Sequence, residues 1–137
     1  MSQISEDREK LIASVLDAFN RHDPGAVRGL VHPEYEFHSR IAALDGRVYQ
    51  GPAGFEEYFG DIDDGFVESR WEFDEAEQPP DDDKLFVVFR FTAHGRESGI
   101  PIDRLAPQVW SFRDGLVWRN VSFASKAEAL EAAGLSE

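Results

Sequence analysis

Residues 109–123 read VWSFRDGLVWRNVSF. At the centre, Arg113-Asp114-Gly115 carries an Asp-Gly pair, a strong short-range hairpin signal because both residues tolerate positive φ. Trp, Phe, Val and Leu crowd both flanks, as strands require. The segment predicts that a long strand over residues 99–112 turns and returns antiparallel over residues 116–123. Period two then places Gln108, Trp110 and Phe112 on one face of the first strand, and Trp118 and Asn120 on one face of the second. Pro101 and Pro107 have no amide hydrogen, which puts them at an edge or a bulge.

Working outward, residues 84–94 are apolar on both faces and predict a central strand. Residues 67–76 predict the strand before it, joined through Pro79-Pro80 and the Asp81-Asp82-Asp83 turn. An early short strand falls at residues 35–40, and Gly46 and Gly51 mark turns around Val48-Tyr49-Gln50. Leu11, Val15 and Phe19 recur every four residues within a first helix over residues 6–21, capped by Ser5. Asp23-Pro24 opens a short second helix to residue 31, ended by Pro33. Pro52 opens a third through residue 62, with Phe55, Tyr58 and Phe59 on one face. Ser125 and Glu128 form a capping box for a terminal helix that Gly134 stops. Helices, one strand, a helix and then a meander of long strands predict an α+β fold. Its helices gather on one face of a curved antiparallel sheet, with a pocket between the two.

The chain of 137 residues is read as one domain over residues 1–137. Its net charge of −13 repels phosphate backbones and anionic lipid, so neither nucleic acid nor membrane is expected as a partner. Much of the acid lies in residues 61–83, where Arg70 is the only base. No apolar run reaches membrane-spanning length, and residues 1–10, MSQISEDREK, lack a signal-peptide core, so a cytoplasmic location is expected. Cysteine is absent, which excludes disulfides and thiolate chemistry. His22, His32, His38 and His94 have no i,i+4 pairing, and Asp61-Ile62-Asp63-Asp64-Gly65 has its glycine one place early for a calcium loop. No metal is expected. Without a phosphate-binding glycine loop or a dinucleotide fingerprint, no cofactor is expected either.

The succession AFNRHDPGAVRGLVHPEYEFHS (18–39), YQGPAGFEEYF (49–59), GRESG (95–99), VWSFRDGLVWRNVSF (109–123) and KAEALEAAGL (126–135) resembles SnoaL-like and ketosteroid isomerase-like members of the nuclear transport factor 2-like superfamily. The resemblance covers residues 10–135. It implies a cone-shaped α+β barrel with one deep pocket, usually in a homodimer. Members that isomerise steroids use a Tyr on the first helix and a protonated Asp on a late strand as oxyanion donors, with a second Asp as base. Counted from Asn20 and Asp23, the Tyr position falls on Val15. The donor Asp position falls near Gln108, and the base position near His38 or Ser39. The usual isomerase mechanism is therefore not expected.

His38 is the candidate catalytic residue, because imidazole titrates near neutrality and the resemblance puts a base there. Arg40 follows by period two and could hold an anionic group. The resemblance turns Gln108, Trp110 and Asn120 into the pocket, where an amide can donate to a carbonyl oxygen and an indole suits an apolar or aromatic ligand. Tyr49 and Tyr58 are wall residues whose hydroxyls could bind substrate. Arg90 interrupts an apolar strand and must pair with a carboxylate such as Asp103, reach solvent or face a ligand. Two readings remain open. One is a cofactor-free isomerase, cyclase or lyase acting by acid/base chemistry on an apolar carbonyl compound. The other is a non-catalytic ligand-binding or dimeric assembly module.

Overall fold

A computed structural model describes residues 4–40 and 47–135; the expected turn at Gly46 lies outside them. The elements run α1 (Glu6–Asn20), α2 (Pro24–Arg28), β1 (Val31–His38), β2 (Val48–Gln50), α3 (Gly54–Gly65), β3 (Phe66–Glu77), β4 (Lys84–Gly95), β5 (Pro101–Arg113), β6 (Leu116–Ser122) and α4 (Lys126–Ala133). The six strands form one open sheet in the order β2-β1-β6-β5-β4-β3. The fold class is the expected α+β.

Local chemistry sets most of the boundaries. The Ser5 hydroxyl caps α1 by accepting from the Arg8 amide, and Asp23 caps α2 by accepting from that of Ala26. Ser125 accepts from the Glu128 amide, and Gly134 closes α4 with a φ of 81°. Asp114 and Gly115, at φ 54° and 76°, turn β5 into β6. Strand β4 lies between β5 and β3, and both its faces are covered. Leu85, Val87, Phe89 and Phe91 enter the main core beneath α1 and α3, whereas Phe86 and Val88 meet Val109 and the Ala129–Leu130–Ala133 face of α4. The two-sided apolar pattern thus has a cause that corrects one expectation: α4 packs on the opposite face of the sheet from the other helices.

A second correction concerns strand direction. β1 pairs antiparallel with β2 but parallel with β6. β1 also begins earlier than expected and contains Pro33. The ladder to β6 shifts register between Val31 and Glu36, so the missing amide hydrogen of Pro33 breaks no pairing there. Pro107 is accommodated differently. Its carbonyl accepts from the Phe123 amide just past the end of β6, so the amide hydrogen it lacks would also have pointed beyond that strand.

The edge strand β3 is tied to α1 by one side chain. Asn20 donates to the Trp71 carbonyl at 2.8 Å and accepts from the Trp71 amide at 2.7 Å, standing in for a neighbouring strand. Asn20→Ala should therefore lower stability by about 1–3 kcal/mol, two hydrogen bonds being lost at a partly buried edge. Urea unfolding checks this. A change within experimental error would show that water replaces the amide at no cost.

Candidate functional site

The inward faces of β5 and β6 carry the buried polar side chains Gln108, Asn120 and Ser122. Trp110 pairs across the sheet with Asn120, and Gln108 with Ser122. The Trp110 indole donates to Gln108 Oε1 at 2.8 Å, two residues along the same face. Gln108 Nε2 in turn reaches Ser122 Oγ only at 3.4 Å, a long contact. Asn120 Nδ2 donates to the Tyr35 hydroxyl at 2.8 Å. Its Oδ1 is buried and has no hydrogen-bond partner among the described residues.

Gln108, Trp110 and Asn120 line one interior cavity, together with Val15, Leu16 and Phe19 of α1, Phe37 of β1, Trp71 of β3 and Phe89 of β4. The three residues expected to converge do so. The hollow itself is smaller than a ligand site requires. Its volume is about 20 Å³, room for roughly one water molecule, because the protein's own rings fill the space between helix and sheet. Leu16 separates it from a surface groove of about 320 Å³ lined by Ile4, Glu9, Ile12, Ala13, Leu16 and Phe73. Phe73 is 47 % exposed at that mouth.

Tyr35 was not among the expected site residues. It is buried behind Asn120, stacked on Phe55 at 4.9 Å. Burial pushes its hydroxyl well above the ordinary value, the nearby Tyr58 adds to this, and the Asn120 hydrogen bond opposes it. It therefore stays protonated and fixes the Asn120 amide. Alternation in YEFH was the available signal, since it turns Tyr35 inward with Phe37.

The same alternation puts Glu36 and His38 outside. His38 Nε2 lies 2.9 Å from Glu36 Oε1 on the outer face, and Arg119 Nε approaches the same oxygen at 3.3 Å. The His38 hydrogen bond is the main influence holding the Glu36 carboxyl below its ordinary value. The ring does not open into the cavity, so the expected base is out of reach of anything bound there. Arg40 is exposed after the end of β1 and is not part of the lining. Arg90 Nη1 meets Asp103 Oδ1 at 2.7 Å on the outer face, the ion-pair alternative rather than a ligand contact.

Tyr49 and Tyr58 are both buried core residues, neither in the lining. The Tyr49 hydroxyl donates to Asp61 Oδ2 at 2.6 Å, and burial followed by that carboxylate raises its pKa. Burial likewise raises Tyr58. The guanidinium groups of Arg113 and Arg119 lie over the Trp118 ring, at 3.8 and 4.2 Å from its centroid. Trp118 does not line the cavity. No cluster of metal-ligating side chains occurs among the described residues.

A family model described as SnoaL-like domain matches residues 12–120. The chain belongs to the SnoaL-like domain family. Solved structures agree on the fold of this SnoaL-like domain. An NTF2-like protein of unknown function from Burkholderia pseudomallei K96243 superposes with a TM-score of 0.74 at 15% identity, covering 93% of this chain and 97% of that one. A Catenulispora acidiphila DSM 44928 protein with a ketosteroid isomerase-like fold, in complex with trimethylamine, gives 0.71 at 13% identity, covering 91% and 92%. A putative SnoaL-like polyketide cyclase from Jannaschia sp. CCS1 gives 0.68 at 16% identity, covering 90% and 88%. None of the curated proteins matches the sequence. At such identities the likeness is one of fold. No helix among the described residues is long and apolar enough to cross a membrane.

Proposed function

We propose that this SnoaL-like domain binds a small, uncharged, apolar carbonyl compound without supplying an acid or base of its own. The lining carries the reading: it offers aromatic and aliphatic walls, two amides and an indole, but no side chain that exchanges a proton near neutrality. A charged guest would find no counterion there, whereas a carbonyl oxygen would meet an amide donor. Acid/base catalysis would need His38 on the other face of β1. The complex of the Catenulispora protein with trimethylamine, and the polyketide cyclase description of the Jannaschia protein, support small organic molecules as the class to test. Admitting such a guest requires Leu16, half-buried between cavity and groove, to swing outward. The same reading includes a homodimer through the outer sheet face, where Leu105 is 54 % exposed.

Thermal melting against a panel of neutral aromatic and polycyclic ketones tests the proposal. A bound ketone at a free concentration about a hundred times its Kd should add about 2.7 kcal/mol of stability. It should be recovered chemically unchanged. Turnover of any stabilising ketone would overturn the non-catalytic reading, and a panel with no stabilising member would overturn binding. Light scattering at micromolar concentration should report the dimer, and a monomer would remove that part.

A further inference from the structure

The two cavity amides have opposite unmet needs. Asn120 is 3 % exposed, its Nδ2 is committed to Tyr35, and its Oδ1 accepts from no described residue. An acceptor left so buried costs about 1–3 kcal/mol unless something donates to it. Gln108, also 3 % exposed, has its Oε1 occupied by the Trp110 indole, while its amino group makes only the 3.4 Å contact to Ser122. An amino group carries two hydrogens, so at least one is unused. Gln108 and Asn120 are diagonal neighbours across β5 and β6, since Gln108 pairs with Ser122 two residues beyond Asn120. One spare donor and one spare acceptor therefore face the same small space.

Resting on the binding reading above, we infer that the site selects a neutral guest with a hydrogen-bond acceptor and a hydrogen-bond donor on neighbouring atoms, such as a lactam or a hydroxy-carbonyl. The guest's carbonyl accepts from Gln108 Nε2, and its N–H or O–H donates to Asn120 Oδ1. Its apolar remainder passes Leu16 towards Ile12 and Phe73, the direction in which the cavity adjoins the groove. Tyr35 is a positioning residue in this arrangement: by accepting from Nδ2 it holds the Asn120 oxygen as the free end of the amide.

Three probes of nearly equal shape separate the contributions. Oxindole carries donor and acceptor side by side, 2-indanone the acceptor alone, and indane neither. Titration calorimetry on the intact chain should show oxindole binding about tenfold more tightly than 2-indanone, the equivalent of one net hydrogen bond. In Asn120→Leu that ratio should collapse towards one while indane binding persists. The wild-type ratio decides the matter even if the leucine variant does not fold. Equal binding of oxindole and 2-indanone would overturn the donor–acceptor assignment and leave the binding reading standing. Failure of all three to bind would overturn both, with the Asn120 oxygen then served by a single trapped water.

Discussion

Phe19→Ala should lower the unfolding free energy by about 3–5 kcal/mol, the range for removing a buried aromatic ring. Phe19 is 7 % exposed and stands where α1, β1 and α3 meet. Its ring packs edge-on against Phe37 at 5.9 Å, Phe55 at 6.1 Å and Phe59 at 5.4 Å, and is tilted against Tyr58 at 5.5 Å. Each such pair contributes about 0.5–1.5 kcal/mol beyond the area it buries. Side chains such as this one, not a backbone ladder, dock helix α1 on the sheet. The loss would be a large share of a typical domain's total of about 5–15 kcal/mol. Urea unfolding with an unchanged m-value checks it. A loss below about 1 kcal/mol would mean that the ring cluster does not hold α1 in place.

Trp110→Ala should cost a similar amount, about 3–5 kcal/mol, with a second consequence at the site. The indole is 1 % exposed and packs against Phe89 at 5.8 Å. Its removal should widen the 20 Å³ cavity so that a ring-sized guest enters without Leu16 moving, and benzene should therefore raise the melting temperature of the variant more than that of the wild type. Trp110→Phe separates packing from hydrogen bonding. It keeps much of the volume but leaves Gln108 Oε1 without its donor, at about 1–3 kcal/mol. An alanine variant that gains no benzene stabilisation would show that Leu16 and Phe89 collapse into the vacated space.

Legibility in the sequence followed the range of the interaction. Ser5, Asp23, Ser125 and Gly134 act on atoms a few residues away, the first three starting their helices and Gly134 ending α4 where local rules place those boundaries. The Asp114-Gly115 turn carries its own backbone preference. The expectation for His38 came from counting along a resemblance, and a strand tolerates no such counting error, since one residue exchanges inside for outside. Alternation across Tyr35-Glu36-Phe37-His38 held the better information and assigned the imidazole to the polar face. The Asn20–Trp71 link had no local signal at all, because its partners are 51 residues apart in the chain.

Element types, caps and the β5–β6 hairpin were open to reading from residues alone, because propensity, capping and period-two alternation are short-range, whereas the inward face of Gln108, Trp110 and Asn120 was implied by the family resemblance. Three features were settled by tertiary packing: the parallel β1–β6 pair, the seat of α4 on the far face of the sheet, and the size of the hollow. Each depends on which distant surfaces compete to be buried and on how completely rings from α1, β1, β3 and β4 fill a shared volume. No window of neighbouring residues contains that sum.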